Sequence, residues 1–417
     1  MSAKSKTLKA TTRTKGALEA LNFFMADMQA GIGPFLGIFL LAHGWDSGWI
    51  GTVMTLGGVA GMAMVVPAGA LIDATARKRL YVIIPGICTI GASAVLLYSQ
   101  EFWLVTVSQI ATAVAGAAIL PAVAGITLGL VGQSGFNRQN GRNQAFNHAG
   151  NVAGAALSGL LGWLYGFPAI VMLAAVFGLF SIGAVVLIPA RDIDDRVARG
   201  LSDDESRSHI SGWRVLITCK PLLILAAALG FFHLGNGAML PLYGMAIVSQ
   251  QQADGASFVA ITIVVAQTVM IGTSLVAMRM AEKEGYWLVL LVSFASLPLR
   301  GLIAAGLTMS WGVFPVQILD GVGAGLQSVA VPGLVARILN GTGRVNVGQG
   351  AVMAVQGVGA ALSPALGGWS AQALGYPATF IILGAFALAS IALWLGFSPI
   401  LRPACAGQPE TRAAAMA

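Results

Sequence analysis

The sequence predicts an all-α membrane protein: twelve transmembrane helices in two parallel six-helix pseudo-repeats, with both termini cytoplasmic. Three observations carry this expectation. Of 417 residues, 57% are hydrophobic and only 9% charged. Soluble domains carry about 25% charge, so lipid must be the solvent for most of this chain. The basic residues fall on alternate loops, and the second half of the chain echoes the first.

Apolar windows of spanning length fall at 17–42, 47–71, 80–99, 102–128, 142–166 and 168–190. Six more fall at 221–248, 257–281, 286–308, 311–338, 347–374 and 376–400. The organisation expected is a first half at 1–190, a charged cytoplasmic linker at 191–220, and a second half at 221–417 with a short cytoplasmic tail. The basic N-terminus (Lys4, Lys6, Lys9, Arg13, Lys15) resembles the start of a signal peptide. The apolar run after it is too long for one, contains Asp27 and lacks a small-residue cleavage site, so it reads as a retained first helix.

With the N-terminus and every second loop in the cytoplasm, 22 of the 23 Lys and Arg residues lie on cytoplasmic segments. The opposite loops hold His43, Asp46, Glu101 and Asp254 instead, and the remaining base, Arg300, lies inside a span. This positive-inside asymmetry puts both ends on one side and requires an even span count. It also accounts for the net charge of +7 without any nucleic-acid partner. The three cysteines are widely spaced, the four histidines form no ligand cluster, and there is no ATP-binding motif. Neither a metal, a cofactor nor an enzymatic activity is expected.

The internal echo has a shift near 209 residues. Gly150, Gly154, Ser158 and Gly159 align with Gly359, Ser363, Gly367 and Gly368, and Gly166-Phe-Pro-Ala with Gly375-Tyr-Pro-Ala. Asp73 aligns with Glu282; at a shift of 207–208, Phe23-Phe24 aligns with Phe231-Phe232 and Pro34 with Pro241. Six spans separate the copies, so both halves run the same way through the bilayer.

At these residues the chain resembles the major facilitator superfamily. Its loop signature after the second helix, G-x-x-x-D-R-x-G-R-[RK], looks like Gly69-Ala-Leu-Ile-Asp73-Ala-Thr-Ala-Arg77-Lys78, with Ala74 and Ala76 departing from it. The second copy keeps Glu282, Lys283 and Gly285. The resemblance implies that Asp73 with Arg77, and Glu282 with Lys283, latch the halves in one state. A second motif, G-x-x-x-G-P-x-x-G-G on the fifth helix, marks the family's exporters. Here Ala155 replaces its proline, and the fuller copy, with Pro364, Gly367 and Gly368, sits on the eleventh helix. The arginine that the exporters carry on the fourth helix is missing from 102–131. The resemblance implies a secondary transporter similar to bacterial proton-coupled efflux members. It would be multi-pass in the inner membrane and act as a monomer on protons and a small solute.

Charge inside a span is costly and marks function. Asp27, Arg300 and Asp320 are the deep charges by position. Asp27 is a candidate proton or cation site, or a hydrogen-bonded structural acid. Arg300 lies eight residues below one end of the ninth span and Asp320 nine residues below the adjoining end of the tenth. At about 1.5 Å per residue both sit roughly 12–14 Å deep, so an ion pair is geometrically possible. Protonating Asp320 would release Arg300, as in galactoside symporters, which this spacing resembles; a permanent structural pair is the alternative. On the fifth span Asn140, Asn143, Asn147 and Asn151 recur at helical spacing, with His148 beside them. They read either as solute ligands or as interhelical glue. His233, Asn236, Gln267 and Gln356 complete the candidate solute contacts. The run Gly321-Val-Gly-Ala-Gly325 is discarded as a nucleotide loop because no strand precedes it. The first functional expectation is proton-coupled export of a small organic molecule by alternating access. The alternatives are proton-coupled uptake of a small polar solute and a non-transporting membrane sensor.

Overall fold

The computed structural model describes residues 11–30, 33–198, 219–250, 254–339 and 345–406. Every regular element among them is helical. The first half contains α1 (Thr12–Ala30), α2 (Gly33–Ala42), α3 (Ser47–Ala74), α4 (Leu80–Val95), α5 (Phe102–Gly116), α6 (Ile119–Tyr165), α7 (Phe167–Val186) and α8 (Asp195–Ala198). Then come α9 (Lys220–Asn236), α10 (Met239–Ser249), α11 (Gly255–Glu284), α12 (Tyr286–Gly306), α13 (Val313–Ile338), α14 (Val345–Leu374), α15 (Tyr376–Gly396) and α16 (Ser398–Cys405).

Nine helices among the described residues are long and apolar enough to cross a membrane. The expected spans outside that set are the first, third and fifth, each for a local reason. The first carries Glu19, Asn22 and Asp27, and its residues 31–32 lie outside the described residues. The third has 16 residues with Pro85 inside it, and the fifth carries the asparagine stripe. Its start also differs from expectation. The chain is helical from Ile119 to Tyr165, interrupted only at Gly132, whose φ of 69° a side chain would disfavour. The helix therefore begins well before residue 142, because hydropathy cannot register a polar helical extension.

The repeated Gly-aromatic-Pro-Ala motif is a turn. Gly166 and Gly375 have φ of 76° and 83°, and each closes a bond from its N–H to the carbonyl four residues back at 2.9 Å. The following Pro168 and Pro377 sit in the first turn of the next helix, where a missing N–H costs nothing.

The described residues group into two compact units: one within Met1–Ser208 plus Ile247–Ile263, the other within His209–Ala246 plus Val264–Ala417. The start of α11 thus belongs with the first half, where Ala256 and Ala260 pack on Gly162 and Gly159 of α6. In the first unit α1 packs on α6 and α7, and in the second α9 packs on α14 and α15.

Each half closes with a short docked segment. After α7, Asp194 donates its N–H to the Gly129 carbonyl at 3.0 Å. Lys78, only 1% exposed, runs its ammonium to the Ile72 and Thr75 carbonyls at 3.1 and 2.9 Å and toward Asp195 at 3.7 Å. After α15, the Arg337 guanidinium donates to the Cys405 and Ala406 carbonyls, while Arg402 lies 4.4 Å over the Trp287 ring. At the 209-residue shift the docking position Lys78 matches Trp287, and Gly129 matches Ile338, the neighbour of Arg337. Burial pushes the Cys405 thiol up to about 12, with the Arg337 charge pulling the other way, so the thiol stays protonated and inert.

Candidate functional site

In the second unit the backbone sets the position of Arg300. α12 presses against α15 where Gly301 faces the Phe380 carbonyl and Gly384 lies beside Pro298. A β-carbon at Gly301 would stand 2.5 Å from that carbonyl oxygen. The neighbouring residue, Arg300, turns toward α9 and α13. Its Nη1 donates to Asp320 Oδ1 at 2.6 Å and to Asn236 Oδ1 at 2.7 Å, and its Nη2 to Gln317 Oε1 at 3.3 Å. The side chains of Arg300 and Asp320 are 2% and 17% exposed. Arg300 Nε and Gln317 Nε2 are buried and have no hydrogen-bond partner among the described residues. His233, one turn before Asn236 on α9, binds the Leu229 carbonyl through Nδ1 at 3.0 Å and interacts electrostatically with Asp320. In the sequence these residues lie on separate helices or turns, and the fold brings them into one cluster.

The glycine run of α13 serves packing. Gly321 lies against Ala266 and Val269, Gly323 against Ser296. Ser293 and Thr273 hydroxyls donate to the Gly323 and Gly321 carbonyls at 2.9 and 3.0 Å.

In the first unit the asparagine stripe of α6 meets α1. Asn143 donates to Thr127 Oγ1 at 3.0 Å and accepts from Gln139 at 3.1 Å. Asn147 donates to the Asn22 carbonyl, and Asn151 to Asn147 Oδ1, both at 3.3 Å. These amides are engaged with protein, and Asn143 is buried. His148 Nδ1 is buried without a partner among the described residues, as is Gln267 Oε1 on α11. Gln356 on α14 is half-buried. Asp27 lies on α1, and its side chain falls outside the described residues.

Besides Arg300, two charges are buried among the described residues. Glu19, placed near the start of the first span, has a side chain only 9% exposed; it accepts from Gln139 at 3.3 Å and pairs with Arg142 at 2.8 Å. Lys78 is the other. The helical spacing of Glu19 and Asn22 on α1 could have flagged the first. Glu19→Ala, which removes one of the two acceptors of Gln139 and leaves Asn143 as the other, is expected to cost about 0.5–1.5 kcal/mol. Arg142→Ala is expected to cost more, about 1–3 kcal/mol, because it leaves the Glu19 carboxylate, 9% exposed, without its counter-charge. Thermal unfolding of the two purified variants checks the ordering.

A family model described as Major Facilitator Superfamily matches residues 19–346. An uncharacterized MFS-type transporter of Mycobacterium tuberculosis is 37% identical over 390 residues, covering 93% of both chains. The chain belongs to the major facilitator superfamily. It is a multi-pass membrane protein of a transporter family. Among solved structures, the nucleoside transporter NupG superposes with a TM-score of 0.73 at 14% identity, covering 93% of this chain and 99% of its own. A POT family transporter in complex with 5-aminolevulinic acid gives 0.76 at 12% identity, covering 93% and 96%. At these identities the likeness is one of fold.

In this superfamily member the signature motif at 69–78 runs from the end of α3 into the loop before α4. The side chains of Asp73 and Glu282 fall outside the described residues. Arg77 and Lys283 are exposed, and Arg77 lines a cavity of about 420 Å³ with Lys78, Arg79 and Ile193. The base that is buried in this loop is Lys78, and it is spent within its own half.

Proposed function

We infer that this protein is a proton-coupled secondary transporter of a small polar organic solute, with Arg300 and Asp320 as its proton switch. The observation that carries this reading is the ion pair at 2.6 Å between two helices inside apolar spans. A carboxylate in such a pair holds its partner only while ionised. A proton on Asp320 removes the attraction, frees Arg300 from α13 and lets α12 and α13 move apart. In this scheme twelve spans with both termini cytoplasmic rock as two halves by alternating access. Asp27 offers a second proton site, and the loop charges Asp73, Arg77, Glu282 and Lys283 latch one state.

The direction favoured is uptake. The pair supports it, as does the absence of an arginine at 102–131. The glycine motif that supports export has another use here, since both copies pack the first helix of their own half. Gly150 lies on the Phe23 carbonyl, Gly359 on the Gly230 carbonyl, and Ser363 accepts the Ala238 N–H at 2.8 Å. Export remains the second reading.

The test is flux in right-side-out and inverted membrane vesicles with an imposed pH gradient and a metabolite panel. Uptake predicts accumulation in right-side-out vesicles when the outside is acidic, dissipated by a protonophore. Accumulation only in inverted vesicles with an acidic lumen would reverse the direction. Flux indifferent to the gradient would remove the proton. Unchanged coupled flux in Asp27→Asn would remove that residue from the scheme.

A further inference from the structure

We propose that the solute is a carboxylate-bearing organic acid, and that its carboxylate replaces Asp320 on Arg300 when Asp320 takes up a proton. This rests on the proton-coupled reading and adds the substrate class.

The first observation concerns charge balance. Arg300 is 1% exposed, and a guanidinium does not give up its proton. A positive charge is therefore permanently buried within a span and must be matched by an anion. Asp320 supplies it from α13, and His233 on α9 interacts electrostatically with that carboxylate. No other acid occurs on α9, α12, α13, α14 or α15. Once a proton from solution rests on the Asp320 carboxyl, these helices contain nothing to balance Arg300. The replacement has to enter from outside, and an incoming solute is what enters.

The second observation is independent of the first. Arg300 Nε and Gln317 Nε2 are buried N–H donors with no acceptor among the described residues, and both residues are almost wholly enclosed. Buried donors without acceptors mark a place where an oxygen belongs. The two side chains touch at 3.3 Å through Arg300 Nη2 and Gln317 Oε1, so their unused donors lie in one neighbourhood. A carboxylate presents two acceptor oxygens in the plane a guanidinium reads.

The charges then close. Before binding the site holds a guanidinium and a carboxylate. After binding it holds a guanidinium, a neutral carboxylic acid and the solute carboxylate. A cationic solute would leave two positive charges buried, and a neutral one would leave Arg300 unmatched.

The test uses the full-length protein, purified in nanodiscs under weak buffering. The probes are acetate, lactate and benzoate, each against its uncharged amide. Carboxylates should raise the unfolding temperature and take up about one proton per molecule bound, while the amides do neither. Gln317→Leu should weaken binding about tenfold. Asp320→Asn should bind the same carboxylate about tenfold more tightly, with no proton uptake and no dependence on pH. The paired Arg300→Gln/Asp320→Asn variant, which strands no charge, should fold and lose the site. The inference is overturned if amides protect as well as acids, or if Asp320→Asn gains no affinity. Proton-driven flux of an uncharged or cationic solute, with no carboxylate bound, overturns it while leaving the proton-coupled reading in place. Carboxylate binding without proton uptake in the wild type overturns both.

Discussion

Asp320→Asn is expected to destabilise the second half by about 3–5 kcal/mol, more than Arg300→Gln does. The asymmetry follows from what each variant leaves behind. Without Asp320, Arg300 keeps a charge it cannot shed, buried to within 2% of full enclosure, with only the carbonyl groups of Asn236 and Gln317 facing it. Without Arg300, Asp320 is 17% exposed and can neutralise itself by binding a proton. The double variant, Arg300→Gln with Asp320→Asn, should return to within about 1 kcal/mol of wild type, because two amides can hydrogen-bond where two charges paired. Thermal unfolding of the purified set reads the order directly. Transport separates switch from strut. A switch requires that the double variant stay folded yet lose proton-driven accumulation, retaining at most downhill exchange. Recovery of coupled accumulation in the double variant would reduce the pair to a structural one.

The second large effect lies in the helix contacts. Gly150→Ala and Gly359→Ala are each expected to cost about 1–3 kcal/mol, and the valine variants more. A β-carbon at Gly150 would meet the Phe23 carbonyl and come within 3.0 Å of the Ala26 methyl. At Gly359 it would meet the Gly230 carbonyl and come within 3.1 Å of the Leu234 nitrogen. The obstacles are largely backbone, so a whole helix must move rather than one rotamer. In lipid there is little hydrophobic drive to hold helices together, so losing close approach removes much of what joins α1 to α6 and α9 to α14. Gly183→Ala and Gly272→Ala meet nothing within 4 Å and serve as controls expected to be neutral. Folded, monodisperse yield and unfolding temperature measure the difference. Equal tolerance at all four positions would show that close packing is not what these glycines supply.

Much of this was legible in one dimension because membrane proteins write their constraints there. A bilayer demands long apolar stretches and sorts Lys and Arg to one side, so composition and loop charge report the class directly. The internal repeat carries into the backbone: the turns at Gly166 and Gly375 share a positive φ, as their matching residues imply. Counting residues from the turns was enough to bring Arg300 and Asp320 to one height, because rise per residue is constant along a helix.

What counting could not supply is which way a side chain faces. Glu19 stands near the start of the first span, where residue counting assigns it no depth, yet α6 covers it with Gln139 and pairs it with Arg142. The asparagine stripe reads as solute ligands or as glue; contact with α1 engages Asn143 and Asn147 with protein partners. In the signature loop Arg77 carries the resemblance, but Lys78 is the base that is buried, because the segment at 190–198 folds back over it. By itself the sequence determined the solvent of the chain, its superfamily, its internal repeat and the matched height of Arg300 and Asp320 on their helices, since these depend on periodicity and composition along one helix at a time. Only the tertiary structure decided which polar groups are spent on neighbours and which, like Arg300 Nε and Gln317 Nε2, are left without a partner among the described residues, because that depends on the faces two helices turn toward each other.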